Sequence, residues 1–295
     1  MSEYASQLRD ALPEGSAELS TEDGRLDSAV RVTVPAKRRV RLREVWTTLP
    51  VAWMLGQRDM KIKYKQSALG PLWLVLQPAA MLTAIGVAFS AVTNIDTGNV
   101  PYIVFALAGL SVWTYVQFTF AIAPTTLPSN QLVVRRSPCP RIALVTGALI
   151  SVLPPLGVVL VASIGSAAIT GHLPIQALLL PVMIAWLLVF MWGVTMLAAA
   201  LAARFRDVVA FAPLVVQAGI FLTPVGYPLN TVPDNVATVL TFNPVSGLLE
   251  AWRWSLLGIS PDMLAVSFGA GFTVFLVFFG WYVFGRMETR FADYV

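Results

Sequence analysis

The chain has 295 residues, 57% hydrophobic and only 12% charged, against about a quarter charged in an ordinary soluble domain. A mean hydropathy of +0.71 leaves no polar coat for a soluble globule, so composition requires an integral membrane protein. Charge is clustered: residues 1–30 carry a net −5, residues 31–65 a net +8 and residues 66–295 a net +1, so the basic balance reports one dense patch and argues against a nucleic-acid partner.

The polar, acidic segment 1–35 reads as a disordered cytoplasmic tail, without the apolar core of a cleaved signal peptide. Residues 36–72 follow as an interfacial helix and basic gateway. Leu42, Val45, Trp46, Leu49 and Trp53 recur at helical spacing, with Arg39, Arg41, Arg43 and Glu44 beside them. One apolar stripe beside basic residues predicts an amphipathic helix lying in the membrane interface, kinked or ended at Pro50. The alternative is a solvated basic linker.

The six-span domain is expected over 73–284. A crossing takes about 20 apolar residues. Between 66 and 134 the only charge is Asp96, inside a turn-rich cluster before Pro101, which separates spans over about 73–92 and 102–123. The charge-free stretch 142–203 is broken by Thr170-Gly171-His172-Leu173-Pro174 into spans of about 142–169 and 175–201. A fifth is expected over about 209–226, bracketed by Pro213 and Pro224, and a sixth over about 263–284. Residues 285–295 form the C-terminus. With both termini cytoplasmic, nineteen basic residues face the cytoplasm and Arg253 alone faces out, as the positive-inside rule demands.

The predicted spans contain no ionisable side chain, so neither a proton relay nor an intramembrane enzyme has its acids or bases. One Cys (Cys139) and one His (His172) cannot form an internal disulfide or a zinc site of the usual ligands, and no Gly precedes a Lys, which excludes a Walker phosphate loop. The energy for transport must come from another subunit. The half-apolar outer loop 227–262 is read either as re-entrant helices, with Asn243-Pro244 as a helix start and Glu250 paired to Arg253 at i,i+3, or as a surface loop with an aromatic belt.

Two stretches carry a family likeness. The first runs from Arg58-Asp59-Met60-Lys61-Ile62-Lys63-Tyr64-Lys65 through Leu69-Gly70-Pro71-Leu72-Trp73 to Gln77-Pro78. The second joins Arg204-Phe205-Arg206-Asp207 to Thr223-Pro224-Val225-Gly226-Tyr227-Pro228 and Asn243-Pro244. Over about residues 40–295 the chain resembles the permease subunit of ABC-type polysaccharide and polyol-phosphate exporters, the O-antigen, teichoic-acid and cell-wall galactan class. The resemblance implies an all-α, six-span half-transporter with an N-terminal interfacial helix and short re-entrant helices between spans five and six. It also implies a homodimer in the bacterial inner membrane that recruits two nucleotide-binding ATPase subunits. The permease would hold no cofactor, since ATP and Mg belong to the partner, and it would move a lipid-linked glycan outward.

On that likeness, Arg135, Arg136, Ser137, Pro138 and Arg141 form the coupling loop to the ATPase, or else an ordinary positive-inside loop. Arg58, Lys61, Lys63, Tyr64, Lys65, Leu69 and Gly70 form the substrate gateway, by charge toward a pyrophosphate, or else hold anionic lipid at about 1 kcal/mol per basic residue. Trp73, Tyr115, Phe118, Tyr227, Trp252 and Trp254 are the channel or gate candidates, because aromatic faces stack on sugar C–H faces; plain packing is the competing role. The rival functions are an exporter of drugs or lipids with the same membrane fold, and a membrane glycosyl or phospholipid transferase, for which Asp59 and Asp207 are too few and too isolated.

Overall fold

The computed structural model describes residues 42–65, 67–90, 97, 99–136 and 139–288. The predicted tail 1–35, most of the turn around Asp96, Ser137, Pro138 and residues 289–295 lie outside them. Among the described residues there is no strand; the fold is all-α.

Helix α1 spans Leu42–Lys65 without a break, so Pro50 lies inside it and does not end it. Its closest contact with the rest of the chain is made by small residues, beside Val45 and Leu55, and not by the tryptophans. A Cβ on Gly56 would stand 2.8 Å from the Gly147 carbonyl oxygen, and one on Gly147 would stand 3.0 Å from that of Ala52. Such close approach of backbones is how helices gain van der Waals energy where lipid offers no hydrophobic drive. Trp46 is 78% exposed and Trp53 49%, so these two rings point away from the rest of the chain, while Val45 packs inward.

A 3-10 turn at Gly70–Leu72 leads into α2, Trp73–Ser90. Helix α3, Tyr102–Ile122, is the centre of the core, with fourteen buried residues. The short α4, Gln131–Arg136, ends just before Ser137. Helices α5, Ile142–Ser151, and α6, Leu153–Ile169, form one apolar crossing interrupted at Val152, before Pro154 and Pro155. After Gly171 (φ 72) and a 3-10 turn, α7 runs Leu180–Arg204.

Among the described residues five segments are long and apolar enough to cross a membrane: Gly70–Val87, Tyr102–Ile122, Ile142–Ile169, Ile175–Arg204 and Met263–Met287. At the position of the expected fifth span, α8 covers only Asp207–Gly219, 13 residues, about 20 Å at 1.5 Å per residue. Turns take over from there to Tyr227, where Gly219, Pro224 and Gly226 disfavour a continued helix.

The segment after it is not a surface loop. Helix α9, Asp234–Thr241, and α10, Pro244–Leu257, precede the long α11, Met263–Met287. The Asn243 side chain caps α10 by accepting from Val245 N (3.0 Å), Pro244 occupies its first turn, and Gly258 (φ 71) ends it. Eleven residues of α10 are buried. It lies hard against α11: a Cβ on Gly247 would overlap the Ala265 carbonyl, and one on Gly269 would stand 2.9 Å from that of Pro244. Further along α11, Gly280 meets the Gly193 carbonyl of α7, and Trp186 Nε1 donates to Thr273 Oγ1 (2.8 Å).

Candidate functional site

The basic run on α1 divides as a helix must, at 100° per residue. Arg58, Lys61 and Lys65 share one face and border a shallow depression of about 420 Å³ with Met54, Gln57 and Ile62. Lys63 points elsewhere, its Nζ 4.2 Å above the centre of the Phe118 ring and 5.7 Å from that of Tyr64. Loss of water around this ammonium lowers its pKa from the ordinary lysine value. The sequence run is therefore two differently placed groups, all four side chains exposed: Arg58, Lys61 and Lys65 on one face, and Lys63 lying over an aromatic ring.

A cleft of about 400 Å³, lined by hydroxyl and charged side chains together with Met60, Ile62, Ile122, Ala148 and Val152, opens where the second half of α1 meets the turns after α3 and the end of α5. Arg58 donates to Asp59 Oδ1 (2.7 and 2.9 Å) and to Asn130 Oδ1 (2.6 Å), which ties α1 to the turn before α4. Thr125, Thr126, Ser129 and Ser151 also line it, and each hydroxyl donates to a main-chain carbonyl at 2.6–3.0 Å. Each hydroxyl therefore offers the cleft lone pairs, suited to donors such as sugar hydroxyls, while Arg58 and Lys63 supply positive charge.

Beyond this cleft, Gly70 takes φ 49, a left-handed conformation that favours glycine, and its N–H donates to Ser67 O (3.1 Å). The Leu69-Gly70 pair is thus the corner at which the chain turns into its first span. Leu69 and Trp73 are both exposed there.

In the loop after α4, Arg141 donates back to Val134 O (3.4 Å). It closes the loop on itself. Arg135 and Arg136 end α4, their side chains outside the described residues with Ser137 and Pro138.

The aromatic candidates separate sharply by burial. Tyr115 and Trp252 are fully enclosed, Tyr115 donating to Leu149 O (3.2 Å), so within the subunit they are core and present no face to a moving polymer. The reason is that α3 and α10 are packed on nearly all sides. Phe118 is also buried, under Lys63. Trp73 is exposed; Trp254 and Tyr227 are half-buried, Tyr227 donating to Phe221 O (2.7 Å).

A longer aromatic row stands on α11, which sequence reasoning missed. Phe268, Phe272, Phe275 and Phe279 follow at centroid spacings of 5.6–6.0 Å, with Phe242 edge-on to Phe268. Its signal was the i, i+4, i+7, i+11 recurrence on one helical face. Its exposed rings suit lipid chains and sugar C–H faces alike.

The second miss is the environment of Arg253, read as the one outer basic residue and found 1% exposed inside the subunit. Its guanidinium lies 3.8 Å over the Phe105 ring and donates to Val225 O (2.6 Å), with Glu250 Oε1 4.0 Å from Nη1. Glu250 Oε2 in turn accepts from Asp262 N (3.4 Å), the N-cap residue of α11. Burial pushes the Arg253 pKa down to about 10 against the opposing pull of Glu250, so it remains cationic at neutral pH. Burial raises the Glu250 pKa, with Arg253 opposing. The i,i+3 spacing revealed the pair; only packing revealed that it is enclosed.

An almost wholly apolar cleft of about 690 Å³ lies between α3, α7, α8 and α11, bordered by Trp113, Phe120, Phe190, Phe211 and Phe272. Thr223 and Asn243 are its polar margin, and the two are hydrogen bonded, Asn243 Nδ2 to Thr223 Oγ1 (3.0 Å).

Comparison with known proteins agrees with this architecture. Two permease proteins of O-antigen export systems from Klebsiella pneumoniae, both named RfbA, are each 22% identical to the chain, over 253 and 254 residues, covering 81% of it and 93% of theirs. One from Myxococcus xanthus is 26% identical over 217 residues, 72% of this chain and 82% of its own. Residues 51–257, well over half of the chain, match the family described as ABC-2 type transporter. With five segments among the described residues long and apolar enough to cross a membrane, and a buried helical hairpin before the last, the chain is a multi-pass membrane permease belonging to the ABC-2 type transporter family.

Proposed function

We propose that this chain is the membrane half of an ATP-driven exporter that carries a lipid-linked polysaccharide from the cytoplasmic to the outer face of a bacterial inner membrane. The observation that carries the reading is a membrane core with no engine. Apart from Arg204 and Arg286 in last turns, the five apolar segments long enough to cross among the described residues hold no Asp, Glu, Lys, Arg or His, and the relatives matched along nearly their full length are O-antigen export permeases. The chain then works as a homodimer with two copies of a separate ATPase, which binds the ATP and Mg. Helix α8 with the turns to Gly226 serves as a sixth, partial crossing, which keeps both termini cytoplasmic.

In this reading the segment 36–72 forms the gateway. Arg58, Lys61, Lys63 and Lys65 draw the pyrophosphate of the carrier lipid, Tyr64 packs beside Lys63, and the Leu69-Gly70 corner admits it to the span beginning at Trp73. The hydroxyl-lined cleft next to Arg58 supports a sugar-bearing cargo. Trp73, Tyr227 and Trp254 remain the gate candidates with accessible rings. The loop 135–141 docks into the ATPase, its three arginines meeting an acidic socket.

Depletion of the chain should cause lipid-linked glycan to build up on the cytoplasmic side, and the chain should co-purify with an ATPase bearing a Walker loop. Correct export after depletion rejects the function. Replacing Arg135 and Arg136 by Glu should abolish stimulated ATPase activity without loss of membrane insertion; unchanged export in that variant removes the coupling role. The apolar cleft is the one feature favouring a lipid or drug cargo, and accumulation of such a compound in place of glycan on depletion would select that reading.

A further inference from the structure

Arg253 is fully enclosed and reaches a turn remote in the sequence. The turn Thr223-Pro224-Val225-Gly226 is buried in full, yet its chain is irregular and lies at the polar margin of the large apolar cleft. Three side chains fasten this turn. Tyr227 donates across its base to Phe221 O, and Asn243 donates to Leu222 O (2.7 Å) and Thr223 Oγ1; both of these hold the flanks. Arg253 alone grips the apex, through Val225 O, and at the same time lies on Phe105 of α3. Gly109, one turn beyond Phe105, makes the space: a Cβ there would overlap the Val225 carbonyl oxygen and stand 2.9 Å from Arg253 Nη2.

The Arg253 site is under-filled with hydrogen bonds. Nε and Nη1 have no hydrogen-bond partner among the described residues, Nη1 keeping only the 4.0 Å ion pair with Glu250. A buried guanidinium normally has its donors satisfied. One carbonyl, one ring and a distant carboxylate make an arrangement that can be left as well as kept.

We propose that Arg253 is a positioning residue that latches the 223–226 turn against α3, closing one end of the apolar cleft, and that release of the Val225 carbonyl from the guanidinium opens that end. Glu250 holds the arginine in place and connects it to the start of α11 through Asp262 N. Opening therefore moves the turn, while the packed α10–α11 pair stays fixed by its Gly247 and Gly269 contacts. The latch rests on the permease reading for its purpose; its test does not.

The test uses the full chain in native membranes, with Cys139 replaced by Ser and a single reporter cysteine added, labelled by a membrane-impermeant maleimide. Val225→Cys reports the turn and Leu187→Cys, fully buried on α7, reports the core. Arg253→Met should speed labelling at 225 at least tenfold and leave 187 unlabelled. Gly109→Ala should do the same by pushing the carbonyl off. Arg253→Lys keeps a cation opposite Glu250 without the planar fork, so it folds as the parent does and still speeds labelling at 225. Unchanged labelling at 225 in Arg253→Lys and Gly109→Ala overturns the latch. Labelling that rises at 225 and 187 together also overturns it, since Arg253 is then a general prop of the core. Intact glycan export after depletion defeats the permease reading separately and leaves the labelling result in force.

Discussion

The two charged regions of this subunit are built on opposite terms. On α1, Arg58, Lys61 and Lys65 line open depressions, and Arg58 shares itself between Asp59 and Asn130. On α10, Arg253 and Glu250 are sealed among apolar side chains. Exposed charges act through a field that salt screens over about 8 Å at physiological ionic strength. A sealed pair acts by geometry, feels little salt, and is costly to break on one side only. The comparison teaches that the same residue type stands open to solvent and salt on one helix and is enclosed, with its contacts set by packing, on another.

The largest effect should come from breaking the sealed pair. Arg253→Ala leaves Glu250 without its partner and should destabilise the subunit by about 3–5 kcal/mol, read from thermal unfolding in lipid nanodiscs. The double variant Glu250→Gln with Arg253→Met should recover more than half of that loss. If it does not, the pair contributes more than mutual neutralisation.

Next is the packing that seals it. Gly247→Ala places a methyl against the Ala265 carbonyl, where only backbone can give way, and should cost about 1–3 kcal/mol in the same assay. A neutral result would mean that α10 and α11 slide freely, and the contrast with α1 would weaken. At the Leu69-Gly70 corner, Gly70→Ala meets no steric neighbour but must hold φ 49, a strain of about 1–2 kcal/mol. The expected outcome is normal insertion with slower export.

The smallest and most salt-dependent effects belong to α1. Lys61→Gln and Lys65→Gln should each weaken the preference of the reconstituted protein for anionic over zwitterionic lipid by about 1 kcal/mol, roughly fivefold, and the difference should fade as salt rises. Lys63→Gln should act differently. Its cation–π contact with Phe118 contributes about 0.5–1 kcal/mol and does not depend on salt. Equal salt dependence for all three lysines would dissolve the division between them.

Much of the fold was legible because its signals are local. The interruption at Thr170–Pro174 lies where two crossing segments part. Asn243-Pro244 does start a helix, because a side-chain acceptor and a missing N–H are what a helix start needs. The short α8 was less legible: apolar composition from 209 to 226 suggests a crossing, and only the backbone preferences of Pro and Gly shorten it. The site was legible in composition and not in arrangement. The tryptophan stripe on α1 was visible, yet Ala52 and Gly56, the residues that make the closest contact, carry almost no pattern signal.

By itself, then, the sequence determined the membrane character, the order of apolar segments and the place of the basic run before the first of them, since hydropathy, breakers and charge act over a few residues. Only the tertiary structure decided that Lys63 leaves its neighbours for Phe118, that Tyr115 and Trp252 are core, and that Arg253 grips a distant turn. Those outcomes depend on Phe105, Gly109, Val225 and Arg253 meeting from remote parts of the chain. A glycine leaves no trace in a hydropathy pattern of the carbonyl and guanidinium that will fill the space beside it.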